Sequence, residues 1–110
     1  MKSSIIVAKK FLDLAKADNG NTLTPMQLLK LVYIAHGYML GKYSRPLIRE
    51  SVEAWKYGPV IKPLYDEIKK YRSLPVEKLS CIPSLISPNL DDEEKETIEG
   101  VYSKYGKTDG

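Results

Sequence analysis

Residues 3–17 separate apolar and charged side chains onto two sides of a helix. The apolar positions recur at three- and four-residue spacing, and the lysines and Asp13 fall between them. This pattern is typical of an amphipathic α-helix that packs on a core. The next four residues, Asp18-Asn19-Gly20-Asn21, compete with helical hydrogen bonds or tolerate positive φ. We therefore predict a first helix that ends in a turn at Asp18.

A second helix is predicted from a strong start signal. Thr24 can cap the helix, Pro25 occupies its first position, and Gln27 completes a capping box with Thr24. The helix is expected to run to about Leu40 and to end at Gly41. Its side chains are apolar on nearly every side, which is typical of a buried central helix.

The following segment, from Lys42 to Pro59, consists of short mixed runs. Period-two alternation at Val52–Trp55 predicts one strand of a small β-hairpin. A third helix is expected to begin between Val60 and Pro63 and to continue to Arg72, because Pro59 and Pro63 disfavour helix at the residues before them.

Residues 73–90 contain three prolines and isolated aliphatic residues, which predicts an ordered loop that places Leu79, Ile82, Leu85 and Ile86 on the core. Asp91 can cap a fourth helix with an acidic first turn and a natural stop at Gly106. The predicted fold is mainly α: four helices, with a small β-hairpin inserted between the second and third.

Composition agrees with one globular domain. The chain has 110 residues, of which 43% are hydrophobic and 28% are charged. No apolar run approaches the ~20 residues that cross a bilayer, and the N-terminus lacks the pattern of a secretion signal, so we expect a cytoplasmic protein without membrane contact. Residues 1–45 carry an excess of bases and residues 81–110 an excess of acids. This distribution suits a protein partner at least as well as a nucleic acid.

Candidate catalytic groups are few. His36 with Cys81 could form a thiol dyad, and Glu50 with Glu53 a carboxylate pair, but nothing near them resembles a nucleophile elbow, a phosphate loop or a metal spacing. We therefore expect no enzymatic activity, no metal and no cofactor. For His36, a hydrogen-bonded position at the edge of the core is favoured over a catalytic or partner-contacting role.

The most unusual segment is Trp55-Lys56-Tyr57-Gly58-Pro59. On physical grounds Trp55 can pack the hairpin on the helices while Gly58-Pro59 sets the turn. The same segment can instead form a rigid aromatic anchor for a partner.

Three runs carry a family resemblance. The first is Leu23-Thr24-Pro25-Met26-Gln27-Leu28-Leu29-Lys30-Leu31-Val32-Tyr33-Ile34-Ala35-His36-Gly37, the second is Arg45-Pro46-Leu47-Ile48, and the third is Val52-Glu53-Ala54-Trp55-Lys56-Tyr57-Gly58-Pro59-Val60. Together they resemble the phage-associated GepA and SocA-type antitoxin domain, also called the Panacea domain. The residues that match the family motif are Pro25, Leu28, Lys30, Leu31, Tyr33, Glu53, Trp55, Tyr57, Gly58 and Pro59. Residues 1–110 would then form a single Panacea-like domain, truncated at its C-terminus relative to the family.

The resemblance implies a non-catalytic, phage- or prophage-associated protein that binds and neutralises a protein toxin encoded nearby. Some family members are adaptors that deliver the toxin to a cytosolic protease. Trp55, Lys56, Tyr57 and His36 are the candidate partner contacts, with the structural position still favoured for His36. An alternative function is a DNA-binding regulator of its own operon, although nucleic acid is the less favoured partner.

Overall fold

The helices and strands follow the predicted order. The computed structural model describes residues 3–56, 58–77, 79 and 89–106. The helices are α1 (Ser4–Ala17), α2 (Pro25–Tyr43), α3 (Lys62–Ile68) and α4 (Asp92–Tyr105), and a 3-10 turn (Lys69–Tyr71) follows α3. Strands β1 (Glu53–Trp55) and β2 (Gly58–Val60) form an antiparallel hairpin between α2 and α3. The mainly α prediction is confirmed.

The start of α2 has the predicted capping box. The Gln27 N–H donates to Thr24 Oγ1 at 3.3 Å, and the Thr24 N–H donates to Gln27 Oε1 at 2.9 Å. The turn before it contains two residues with positive φ, Asn19 (55°) and Gly20 (71°), as the sequence indicated. The local chemistry of this turn therefore determines where α1 ends and α2 begins.

The end of α2 was predicted too early. The helix continues through Gly41 to Tyr43 and ends at Ser44, which adopts the left-handed conformation with φ 57°. Glycine within a helix costs about 1 kcal/mol relative to alanine, an amount that tertiary contacts can offset. Such contacts exist in the last turn, where Tyr43 and Lys42 both donate hydrogen bonds to Glu96 of α4.

The α-helical part of the third helix is shorter than predicted. It begins at Lys62, inside the expected range, but ends at Ile68 and tightens into the 3-10 turn before Arg72. Arg72 has φ 55°, which reverses the chain. The reversal brings the Val76 N–H to the Leu23 carbonyl at 2.7 Å, so the segment returns to the core instead of extending the helix.

Helix α4 also begins with a capping box, formed by Asp91 and Glu94, and its first turn is acidic as predicted. It ends at Tyr105, with Gly106 as its C-cap. The φ of Gly106 is −65°, so glycine is needed there for a steric reason: an added Cβ would collide with the Tyr102 ring.

The core lies where α2 packs against α1, α3, α4 and β2. Leu79 is buried as predicted, whereas Ile82, Leu85 and Ile86 lie outside the described residues. Across the part of the chain that the structure describes, every helix is too short or too polar to pass through a bilayer. The largest fully buried apolar side chains are Phe11, Leu23, Leu28, Met39, Leu47, Ile48, Ile61, Leu64, Ile68, Leu79 and Ile98.

Glu50 connects the segment after α2 to the start of α1 through hydrogen bonds. Its two carboxylate oxygens accept hydrogen bonds from the Ser4 N–H at 2.9 and 3.1 Å, and Oε2 also accepts one from Ser4 Oγ at 2.8 Å. Ser4 is completely buried. A carboxylate at a helix N-terminus is also favoured by the helix dipole, so Glu50 holds two parts of the fold that are far apart in sequence.

Replacing Glu50 with alanine should lower the free energy of unfolding by about 1–3 kcal/mol, because both Ser4 donors would be left buried without an acceptor. Urea denaturation measures this loss. Glu77→Ala removes a carboxylate from an exposed position and should change stability by less than ~0.5 kcal/mol. Equal effects of the two substitutions would contradict the role given to Glu50.

Candidate partner-binding surface

His36 accepts two hydrogen bonds from the loop that follows α2. Its Nδ1 accepts hydrogen bonds from the backbone N–H groups of Leu47 (3.2 Å) and Ile48 (3.3 Å), both of which are buried. Burial lowers the pKa of His36 below its ordinary value of 6.5. The two N–H groups directed at Nδ1 also oppose a proton there, so the imidazole is held neutral with its proton on Nε2. His36 therefore has the hydrogen-bonded position favoured by the sequence reasoning.

The hairpin is positioned by its aromatic residue. Trp55 pairs with Gly58 across the turn, and its ring meets the Tyr65 ring of α3 edge to face, with centroids 5.2 Å apart. The indole Nε1 donates to Glu53 Oε1 at 3.1 Å. The side chain is nevertheless 37% exposed. Trp55 thus combines both readings of the sequence, since it packs the hairpin on α3 and still presents aromatic surface to solvent.

The other candidate partner-contact residues differ in their exposure and in the residues that they contact. Lys56 follows Trp55 and is exposed, whereas Tyr57 lies outside the described residues. Gly58 has φ 120°, a backbone conformation that favours glycine. His36 contacts the loop at residues 47–48 while Trp55 contacts Glu53 and Tyr65, so these two side chains belong to different contact networks.

The catalytic candidates also have structural contacts. Glu50 binds Ser4 and Glu53 binds the Trp55 indole, so each carboxylate is oriented by its own donor. Cys81, the other half of the thiol dyad with His36, lies outside the described residues. Within the residues that the structure does describe, no group of three His, Cys, Asp or Glu side chains is placed to hold a metal ion.

The residues that match the family motif divide between core and surface, a division that the motif alone does not reveal. Pro25, Leu28 and Leu31 are buried, Gly58 is partly exposed, and Lys30, Tyr33, Glu53 and Pro59 are exposed. The exposed members of α2 point to a surface that the sequence reasoning missed.

That surface is the side of α2 opposite the core, which we call the α2 outer face and define as Met26, Lys30, Tyr33, Gly37 and Leu40. All five residues are exposed. The expectation of a buried central helix is therefore corrected in one respect: α2 is central, but its neighbours leave this face uncovered. The seven-residue spacing of Met26, Tyr33 and Leu40 was visible in the sequence, but a helix that is apolar all round gives no indication of which apolar stripe is left uncovered.

A cleft of about 270 Å³ lies between α2 and α4. The Tyr38 hydroxyl lies 3.3 Å from the Tyr105 hydroxyl, and Lys104 Nζ lies 3.5 Å from the Tyr38 hydroxyl. Lys42 and Glu96 form an ion pair, and the hydrogen bond from Lys42 lowers the pKa of Glu96. The polar groups that line the cleft thus bond mainly to one another.

Comparison with known proteins identifies the protein family. Residues 28–110 match the family described as "Antitoxin SocA-like, Panacea domain", and the chain belongs to this family.

Antitoxin SocA of Caulobacter vibrioides (strain NA1000 / CB15N) is 35% identical over 92 residues. The match covers 77% of this chain and 49% of that protein, so the chain spans about half the length of the curated relative that it matches. No solved structure matches the chain.

The lowered pKa of His36 predicts that the folded protein loses stability as the pH falls. His36 is the single histidine of the chain, and its pKa is lower in the folded than in the unfolded state. Its contribution to stability is therefore complete above pH ~6.5 and is lost as the pH falls from there towards the folded-state pKa. Urea denaturation between about pH 7.5 and pH 5 should show this decrease.

His36→Asn is the matched control, because the amide oxygen can accept a hydrogen bond near the position of Nδ1 but does not titrate. This variant should lose less stability than the wild type over the same pH range. An unchanged pH dependence would show that His36 is not the group responsible.

Proposed function

We propose that this protein is a non-catalytic antitoxin of phage or prophage type that binds and neutralises a protein toxin encoded nearby. The observation that carries the proposal is membership of the SocA-like antitoxin family over residues 28–110. Exposed apolar and aromatic side chains on α2 and the hairpin support it, because aromatic residues and methionine are enriched where proteins bind one another.

Trp55, Lys56 and Tyr57 are the proposed toxin contacts on the hairpin. A tryptophan held by Tyr65 and Glu53 loses little side-chain freedom on binding, which favours its use as an anchor. For His36 we propose a positioning role, because its Nδ1 is occupied by the loop that leads to the hairpin.

Neutralisation can proceed in two ways: the bound protein blocks the toxin sterically, or it delivers the toxin to a cytosolic protease. Both need a preformed surface and no chemistry by this chain. They differ in what happens to the toxin, since steric inhibition leaves its amount unchanged and delivery lowers it.

Regulation of its own operon through DNA binding is less well supported. DNA binding requires lysines and arginines that are available to phosphates. Lys62 of α3 lies 3.0 Å and Lys69 of the following 3-10 turn 3.5 Å from carboxylate oxygens of Asp66. Arg45 pairs with three acids at the α4 N-terminus: Asp91, Glu93 and Glu94. These ion pairs reduce the positive potential that DNA would meet.

The direct test is capture of the product of the adjacent gene by the full-length protein. Lys56→Glu should weaken capture without unfolding the protein, since Lys56 is exposed. A separate measurement of toxin abundance in cells distinguishes steric inhibition from proteolysis. Lys95→Glu is the matched control, because it reverses the same charge at an exposed position of α4.

Normal capture by Lys95→Glu together with weaker capture by Lys56→Glu would place the hairpin in the interface. Equal capture by both variants would remove Lys56 from it. Failure of the wild type to bind the neighbouring protein, combined with salt-dependent binding to promoter DNA, would overturn the proposed function in favour of the regulator.

A further inference from the structure

The cleft between α2 and α4 has two ends that differ in charge. At one end Lys42 and Glu96 form an ion pair, and the Tyr43 hydroxyl donates a second hydrogen bond to the same Glu96 oxygen at 3.1 Å. The opposite end is formed by Lys104, which also lines the cleft. Lys104 lies eight residues beyond Glu96 on α4, which is about 12 Å along the helix at 1.5 Å per residue. The charges of the first end are matched, so the two ends can be considered separately.

Lys104 brings a positive charge to the second end of the cleft. Its side chain is exposed. In the part of the chain that the structure describes, its ammonium group contacts two tyrosines and no carboxylate: Nζ lies 3.5 Å from the Tyr38 hydroxyl and 5.6 Å from the centre of the Tyr105 ring. Glu99, the acidic residue of α4 nearest to it in sequence, pairs with Lys10 of α1 at 3.5 Å. The charge of Lys104 is therefore available to a ligand.

Tyr38 adds a hydrogen-bond donor beside this charge. Its hydroxyl oxygen lies 3.3 Å from the Tyr105 hydroxyl and 3.5 Å from Lys104 Nζ. The hydrogen bond with Tyr105 is the largest cause that lowers the pKa of Tyr38, followed by the one from Lys104, whereas the pKa of Tyr105 is raised. These directions correspond to Tyr105 as the donor and Tyr38 as the acceptor. Tyr38 then keeps its own O–H and Lys104 keeps two N–H groups for a further acceptor.

The middle of the cleft is lined by Thr97, Gly100 and Val101 of α4. A Cβ added at Gly100 would meet no atom within 4 Å, so the space above this glycine is open. The volume of about 270 Å³ is below the range of ~300–1,000 Å³ that is typical of pockets for whole small molecules. The cleft therefore suits one or two side chains that belong to a larger molecule.

The donors and the lining together indicate the chemistry of the ligand. A carboxylate accepts charge-assisted hydrogen bonds from an ammonium group and a hydroxyl, and its methylene groups or an apolar neighbour can lie against Val101. A nucleic acid fits less well. It binds through a series of phosphates that meet several cations, whereas this cleft offers the charge of Lys104 beside a lysine already paired with Glu96. These features favour an acidic residue of a protein.

We propose that the Lys104 end of the α2–α4 cleft binds an acidic side chain of the toxin. Lys104 and the Tyr38 hydroxyl donate to its carboxylate, and Tyr105 positions Tyr38 through the hydrogen bond between their hydroxyls. This assignment rests on the proposed function, since it names a chemical feature of the toxin that the antitoxin recognises. It adds a charged contact to the aromatic one at the hairpin.

Calorimetric titration of the full-length protein with the product of the adjacent gene, at low and at high salt, tests the assignment. Lys104→Gln should weaken binding about tenfold, as expected for the loss of one hydrogen bond to a charged group. It should also make the affinity less dependent on salt, because one ion pair across the interface is removed. A role of Lys104 in folding alone would leave the salt dependence unchanged.

Three further variants complete the experiment. Lys104→Arg should retain most of the affinity, because the charge and the donors remain. Tyr38→Phe removes the hydroxyl donor and should weaken binding by a smaller factor than Lys104→Gln. Lys95→Gln is the matched control: it removes the same charge at an exposed position of the same helix, outside the cleft, so its affinity should equal that of the wild type. Melting temperatures should stay near the wild-type value, because all three positions are exposed.

The outcomes distinguish this inference from the proposed function. Wild-type binding that Lys104→Gln and Tyr38→Phe both leave unchanged would overturn the carboxylate site while the antitoxin function stands. Equal weakening by Lys104→Gln and Lys95→Gln would show a general effect of net charge and would also overturn it. A wild-type dimer, or binding to promoter DNA, that Lys104→Gln abolishes would assign the site to a second copy or to a phosphate instead. No binding of the neighbouring protein by the wild type would contradict both the function and the site.

Discussion

The structure depends on one helix that has to contact almost everything else. α2 packs against α1, α3, α4 and β2, and residues such as Leu28, Val32 and Ala35 are completely buried between them. The side chains of α2 are apolar on most of its circumference, but its neighbours cover only part of that circumference. The α2 outer face is the part that they leave uncovered.

Long-range polar contacts then fix the segment between α2 and the hairpin. His36 accepts hydrogen bonds from the loop at residues 47–48, and Glu50 binds both donors of Ser4. Arg45 reaches Asp91 and Glu93 at the start of α4. These contacts tie the irregular segment to three helices, which favours Trp55 as a preorganised surface residue.

Much of the fold was predictable because its signals are local. The capping boxes of Thr24 and Asp91, the turn at Asn19-Gly20 and the alternation at Val52–Trp55 each depend on residues a few positions apart. The predicted ends of α2 and α3 were wrong because contacts between residues far apart in sequence determine where these helices end. Tyr43 extends α2 through its bond to Glu96, and the return of Val76 to Leu23 ends α3 early.

The candidate surface was predictable only in part for the same reason. The sequence drew attention to the Trp55 turn because its composition is unusual, and its exposure agrees with that reading. The α2 outer face was missed because Met26, Tyr33 and Leu40 look like core residues until the positions of α1, α3 and α4 are known. The bonds of His36 to residues 47–48 likewise require the tertiary structure.

We propose that this chain recognises a protein partner through preformed surface on α2 and the hairpin. The decisive experiment is chemical-shift mapping of isotope-labelled protein titrated with the product of the adjacent gene. The largest changes are expected at Met26, Tyr33, Leu40 and Trp55. Changes confined to α1 or α3, or no changes at all, would contradict recognition through this surface.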